Sequence, residues 1–547
     1  MERMRLAGFA ALGAGVLGLG ATEYFKREFG AEALPRMLEA YSVAIPGFLA
    51  YKRVQLLQER LPAYLGRQVD QAAVAREYKA LHAEWAPRGL AMILRLRGFN
   101  LKTGQLVAGN FGNVFPPEWQ KAFECLLDGV PHKPFAEVRR TVEAGLGRPL
   151  EDVFSSFAQE PMAAASIGQV HRATLRGSGE AVVVKVMYPE VEGQFRGDLF
   201  SAKKFAALAL PEHVKALEEI EKQFANEFDY RREAAQLELI RANLQRAGRA
   251  FERFDVPRPF LPLCTKAVLV MTEVPRCTKL TTALNEDMAF FAQRRGITKE
   301  ALLEEERALN EAALARGELR CGPSAATMDG WISQLRWRNW ALGWLGAAPS
   351  HVPLNHAHLM DELLRVHGHE VLVDGAFNGD PHPGNVLVSL PLQRGAEPRI
   401  ALVDYGQVKL LSAHQRLQVA RLIAALARAD ARSAAHRLRV CQILKDMGFE
   451  GQRGDVDVGF AMAKLFFDAD DLLATGGRNT QAYIEDLQAR DPTKSIGDDF
   501  VLVARCSLML RGLGHQLNQH RSAAKAWAPM ADAVMRAAGE DPDRLLL

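Results

Sequence analysis

The sequence predicts an α+β fold built in two parts, and three observations predict it. Short apolar runs of strand length, Val182-Val183-Val184 before Lys185 and Val268-Leu269-Val270-Met271, are confined to a stretch from about 150 to 275. Residues 31–150, and those after Leu410, carry apolar side chains at helical spacing. The turn Asp380-Pro381-His382-Pro383-Gly384-Asn385 is followed by two further strand-like runs, Val386-Leu387-Val388 and Ile400-Ala401-Leu402-Val403. The second of these leads into Asp404-Tyr405-Gly406.

The elements fall in order along the chain. With 547 residues it exceeds one ordinary core. Its 48% hydrophobic and 24% charged content is that of a globular protein, not a disordered one. Residues 1–30 read as a targeting or membrane-anchor segment. Arg3 and Arg5 precede an uncharged stretch from Leu6 to Thr22, at the lower limit of the roughly 17–25 residues a span needs. Residues 31–150 read as a helical N-terminal extension, punctuated by Pro116-Pro117 and Pro131. Residues 151–275 form a strand-bearing N-lobe, and residues 276–547 a mainly helical C-lobe with a helical insertion at about 281–350. That insertion holds Trp331, Trp337, Trp340 and Trp344, four of the seven tryptophans. The last three share one helical face, which reads as a core-facing stripe. The alternative is a face for a membrane surface or a partner.

Charge and cysteine usage narrow the function. The balance of 68 basic against 65 acidic residues, without a basic run, argues against a nucleic-acid partner. The six cysteines are scattered and form no C-x-x-C pair, so neither a disulfide scaffold nor a zinc ribbon is expected.

The motifs point to phosphoryl transfer, which needs metal ions on the phosphates and an aspartate to orient the nucleophile. Asp380 with Pro383 and Asn385 has the D-x-x-P-x-N spacing of a kinase catalytic loop, and Asp404 stands in a D-[FY]-G motif. In that scheme Asp380 aligns the acceptor, while Asn385 and Asp404 hold Mg²⁺ on ATP. The fold class sharpens accordingly to a bilobal protein-kinase-like fold. Ala163-Ala164-Ala165-Ser166-Ile167-Gly168-Gln169-Val170 aligns with a Gly-rich phosphate loop; Gly168 and Val170 match, and alanines replace the earlier glycines. Lys185 closes a V-A-I-K-like strand and suits phosphate contact. Glu233 suits the helix glutamate that pairs with it, and spacing of four puts Asp229 on a shared face with Glu233. Glu273 and Val274, at a strand exit, suit a hinge whose backbone binds an adenine edge.

Together with Lys102-Thr103-Gly104-Gln105, these residues resemble the AarF/UbiB family of atypical protein-kinase-like proteins. The family pairs this K-x-G-Q motif with an alanine-rich loop, with an E-x-D motif (here Glu227-Phe228-Asp229) and with D-P-H-P-G-N. All four occur here in order, and the resemblance covers roughly residues 70–450. It implies that the K-x-G-Q helix covers the place of a peptide substrate, that Lys102 and Gln105 point into the nucleotide pocket, and that Glu227 and Asp229 partner Lys102. It further implies ATPase or small-molecule kinase behaviour in ubiquinone biosynthesis or lipid homeostasis. The expected setting is mitochondrial and membrane-associated, with a plastid as the alternative. A lipid or quinone precursor is the implied ligand, and a homodimer or biosynthetic complex the implied assembly. A nucleotide-binding pseudokinase scaffold without turnover is the alternative, ahead of a conventional protein kinase. The chain departs from the simplest pattern in four places. Asn378-Gly379 replaces His-Arg before Asp380, His382 replaces the loop lysine, Tyr405 replaces phenylalanine, and the insertion is long.

Overall fold

The computed structural model describes residues 26–109, 116–126, 132–165, 167–211, 227–389, 398–468 and 480–546, with scattered positions between 211 and 227. The N-terminal stretch up to Thr22 and Ser166 of the alanine-rich loop lie outside the described residues. In chain order the strands that bear on function are β1 (Phe154–Phe157), β2 (Ala163–Ala164), β3 (Gly168–Leu175), β4 (Ala181–Met187), β5 (Phe254–Asp255), β6 (Val268–Thr272), β7 (Cys277–Lys279), β8 (Ala376–Asn378), β9 (Val386–Ser389), β10 (Arg399–Leu402) and β11 (Val408–Leu410). The chain divides into two compact units. One takes the residues up to Ala234 with Pro259–Glu273; the other takes Ala235–Arg258 with Val274–Leu547.

The first unit is built on an antiparallel sheet of order β1-β3-β4-β6, with β2 pairing β3. Its β4 strand shows why a short valine run folds this way. Alternate residues Val182, Val184 and Val186 are buried on one face, against Val138 and Val142 of the Phe135–Leu146 helix. The opposite face carries Lys185, which register places across from Val170 on β3 and Leu269 on β6. Among the described residues the longer further helices of the extension are Ala33–Val54, Gln71–Leu96, Gly98–Gly109 and Pro117–Phe123. Asp70 caps the second, accepting from the N–H groups of Ala72 and Ala73 at 3.0 Å each. Arg97 then takes a left-handed φ of 54°, and Gly98 one of 51°, so the chain turns sharply between the second helix and the third.

A buried ion pair braces this unit. Asp198 accepts from Arg36 Nε at 2.9 Å, from a second Arg36 nitrogen, and from Asn100 Nδ2 at 3.0 Å. It thereby ties the Ala33–Val54 and Gly98–Gly109 helices to the Val191–Ala209 helix. Burial pushes the Asp198 carboxyl up, and its arginine and asparagine partners pull it back.

The second unit holds a four-stranded sheet of order β5-β10-β9-β7, in which β5 and β10 run parallel, and a separate β8–β11 pair. Helices dominate the rest. The Ala413–Arg428 helix opens with a capping box made by Ser412 and Gln415. Trp527 of the Ala523–Ala537 helix is fully buried and donates to the Leu364 carbonyl at 2.7 Å. A Cβ on Gly368 would lie 2.5 Å from the Trp527 ring, so glycine is required there. Three helices occupy the insertion, Leu280–Arg295, Lys299–Ala315 and Ala325–Trp344. The core-facing reading of its tryptophans is corrected here. Met328, Ile332 and Leu335 are the buried stripe of the last helix, whereas Trp337 is 70% and Trp344 77% exposed. Both faces of this helix are apolar, so apolar spacing alone did not show which one packs.

Candidate nucleotide and metal site

Backbone pairing shapes the alanine-rich loop. Ala163 pairs with Val170 and Ala164 with Gln169, and the Ala165 N–H donates to the Gly168 carbonyl at 2.7 Å. A Cβ at Gly168 would lie 2.4 Å from the Val186 carbonyl oxygen and 2.9 Å from the Tyr230 hydroxyl, so this position must be glycine. Lys185 Nζ donates to both carboxylate oxygens of Glu233, at 2.8 and 2.9 Å, and lies 5.1 Å from the centre of the Tyr230 ring. Both charged groups are largely buried, with side chains 14% and 6% exposed. Paired burial of this kind is stable only while both partners remain.

A polar chain behind the loop was not read from the sequence. Gln169 Oε1 accepts from the Lys133 N–H at 2.8 Å and the Tyr188 hydroxyl at 3.0 Å. Its Nε2 donates to the Lys133 carbonyl and to His171 Nε2. His171 must then carry its proton on Nδ1, which lies 2.8 Å from the Ala158 carbonyl oxygen. Burial lowers the His171 pKa and keeps it neutral. The signal was present: glutamine and histidine at alternate positions of an apolar strand point to one face.

The K-x-G-Q helix is anchored within the same unit. Lys102 Nζ lies 3.5 Å from Glu227 Oε2 and 4.8 Å from the centre of the Phe224 ring. Gln105 instead donates to the Leu126 carbonyl at 3.0 Å, so its amide is held inside the extension. A Cβ on Gly104 would lie 2.6 Å from Leu126 Cδ1 and 3.1 Å from Ile93 Cδ1; the glycine of this motif is a packing requirement. Asp229 is not on the helix that carries Glu233. It precedes the Tyr230–Ala247 helix, accepts from the Arg231 N–H at 3.1 Å and pairs with the Arg231 guanidinium, while Glu233 is buried. Glu273 pairs with Arg172 at 2.8 Å, and its N–H is spent on the Ala181 carbonyl. Val274 is buried, and its carbonyl accepts from the Cys277 thiol.

In the second unit the β9–β10 hairpin aligns the metal-ligand candidates. Val386 pairs with Leu402, and the Val403 N–H donates to the Asn385 carbonyl at 3.2 Å. Asn385 therefore stands across from Val403, one residue before Asp404. A carboxylate and a carboxamide at one hairpin end are hard oxygen donors, the set that suits Mg²⁺. Asn378, the residue that departs from His-Arg, joins the two aspartate segments. Its Oδ1 accepts from the Asp380 N–H and its Nδ2 donates to the Asp404 carbonyl, each at 2.9 Å. Asp380 Oδ1 lies 3.1 Å from Arg505, which the Asp498–Gln516 helix supplies. His382 Nδ1 accepts from the Gly384 N–H at 3.0 Å, so the doubly protonated, phosphate-facing imidazole requires that this bond be broken.

Beneath these loops lies Glu370. Its Oε1 accepts from the Tyr405 hydroxyl at 2.8 Å, and its Oε2 lies 3.0 Å from His367 Nδ1. All three side chains are fully buried. Burial and the Glu370 charge hold the Tyr405 hydroxyl protonated, well above its ordinary pKa. Tyrosine in place of phenylalanine thus carries a donor to a buried carboxylate. Glu370, His367 and Arg505 were not legible from the sequence: Glu370 meets Tyr405 across 35 residues, His367 acts through Glu370, and Arg505 comes from the Asp498–Gln516 helix.

Comparison with known proteins adds the following. The profile of the ABC1 atypical kinase-like domain matches residues 125–305 and 348–438. It passes over the stretch that contains the tryptophan-bearing helix. An aarF domain-containing protein kinase of Arabidopsis thaliana, described as chloroplastic, is 33% identical over 188 residues, 32% of this chain and 34% of that protein. AarF domain-containing protein kinase 1 of Xenopus tropicalis is 27% identical over 65% of this chain and 57% of its own length. The Vibrio cholerae protein named "Probable protein kinase UbiB" is 32% identical over 32% of each chain. The matched part therefore spans about a third to just over half of these relatives.

Proposed function

This chain belongs to the AarF/UbiB family of atypical kinase-like proteins, and from that premise we propose that it binds Mg·ATP and transfers or hydrolyses its terminal phosphoryl group, acting on a lipid or quinone precursor at a membrane. The observation that carries the reading is the two-bond ion pair between Lys185 and Glu233 on the sheet face shared with Val170. A kinase needs that pair in place to hold the lysine on the nucleotide phosphates.

The remaining roles follow from the residues' chemistry. Lys185 neutralises phosphate charge while Glu233 fixes its position. Asn385 and Asp404 hold the metal, which supplies charge neutralisation on the phosphates when bound. Asp380 orients the acceptor hydroxyl or water, and Asn378 keeps the Asp380 and Asp404 backbones in register. Lys102 holds the K-x-G-Q helix on Glu227; the resemblance implies that this helix covers the place of a peptide, which favours a small acceptor. Mg·ATP hydrolysis measured with liposomes tests the reading. Asp404→Asn is expected to lower the rate by about 100-fold, the scale of removing one electrostatic stabiliser. Equal rates in the two proteins sink the enzymatic claim.

One observation favours a second reading, a nucleotide-binding scaffold. Arg505 sits on the carboxylate of Asp380, the group that has to receive the acceptor. Stabilisation by Mg·ADP with no phosphate release from ATP supports that reading over the first.

A further inference from the structure

We propose that the exposed face of the Ala325–Trp344 helix is a docking surface for an anionic lipid bilayer. At about 100° per residue, Trp337, Trp340 and Trp344 lie roughly 120–180° around the helix from the buried Met328, Ile332 and Leu335. The indoles touch one another: the ring centroids of Trp337 and Trp340 are 6.3 Å apart, and those of Trp340 and Trp344 are 5.9 Å apart. Leu345, 80% exposed, extends the patch past the helix end. Together these side chains expose on the order of 500 Å² of apolar surface, the size at which a patch on a soluble protein is functional.

Composition identifies the occupant. The face is built from tryptophan, the side chain that concentrates at the boundary between headgroups and acyl chains. Arg336 and Arg338 flank the indole stripe on its two sides, each about 80° from the buried stripe's centre. Between Gly330 and Ser350 they are the only charged residues, and no acid is present. Asp329, about two turns nearer the helix start than Trp337, accepts from Asn355, and the indole-bearing end of the helix carries arginine without an acid, which complements anionic headgroups over an apolar interior. A second copy of the chain is the other occupant that the test distinguishes. The inference draws on no step of the nucleotide chemistry, so a chain that turns over no ATP still tests it.

The full chain is floated with vesicles of phosphatidylcholine alone and of phosphatidylcholine with phosphatidylglycerol. Tryptophan emission is followed with lipids brominated on their acyl chains. The expected result is binding to the anionic vesicles with quenching of emission. Trp337→Ser/Trp344→Ser is expected to lower binding more than about 10-fold, and Arg338→Gln about 5-fold on anionic vesicles only. Trp344→Phe, which keeps an aromatic ring, retains most of the binding. Because these side chains are exposed, the thermal transition stays unchanged. Flotation of the double variant at the native level, without quenching in either protein, overturns the proposal and moves the anchor to another segment. A native self-association that the double variant loses, with no vesicle binding, overturns it in favour of a second copy.

Discussion

Asp374 shows how a single buried carboxyl makes this protein's stability depend on pH. It ends the helical turn Glu370–Asp374, just before Gly375 with its left-handed φ of 69°. Burial first, and the charge of Glu370 second, raise its pKa from 3.8 to about 6. Because the folded state holds the proton more tightly than the unfolded one, the stabilising contribution is complete below the unfolded value. It is lost as pH rises through about 6. Asp374→Asn, which cannot ionise, is therefore expected to raise the melting temperature at pH 8 and to leave it unchanged at pH 4. Melting curves across that range check it; an equal effect at both ends removes the titration account. Lys185, Asn385 and Asp404 could be nominated as candidates from motif spacing because each stands at a fixed offset from a turn or strand. Glu370 could not, since it is one glutamate near a helix end until the Tyr405 hydroxyl is seen to meet it.

At the scale of elements, glycine positions report close approach. The K-x-G-Q helix reads from sequence as an ordinary helix with a glycine, which costs about 1 kcal/mol relative to alanine in isolation. Gly104→Ala would therefore be stabilising in a free helix. Here a Cβ meets Leu126 and Ile93, both in a cluster with Leu101, Val107 and Phe123. The substitution is expected to destabilise the chain by about 1–3 kcal/mol, the range for overpacking a core. Denaturant unfolding measures this, and a stabilised Gly104→Ala shows that the helix can move away. The strands were legible because valine runs of that length have few alternatives. The register that sets Val170 opposite Lys185 came from the pairing of three separated segments. The Ala325–Trp344 helix was legible as a helix and not in its orientation, since the Met328, Ile332 and Leu335 stripe and the tryptophan stripe both fit a core.

For the whole molecule, nucleotide binding provides the broadest test. A ligand that binds only the folded chain stabilises it by about 2.7 kcal/mol at one hundred times its dissociation constant. Mg·ADP is expected to raise the thermal transition of the native chain, and the shift is expected to shrink in Asp404→Asn. A native protein that shows no shift with Mg·ADP fails the nucleotide reading in both its enzymatic and scaffold forms. Among the described residues no helix is long and apolar enough to cross a membrane. The apolar stretch from Leu6 to Thr22 lies outside them, so its role as an anchor or targeting segment stands as an expectation.

By itself the sequence determined the family and the order of its motifs, because those depend on residue type at fixed short spacing. It also determined where strands give way to helices, because local periodicity carries that information. Only the tertiary structure decided that Asn378 links the two aspartate loops, that Arg505 faces Asp380, that Asp229 caps a helix, and that three tryptophans face outward. The physical reason is common to all of these. A hydrogen bond or a buried face is a property of packed surfaces, and which surfaces pack is settled by contacts between residues far apart in the chain.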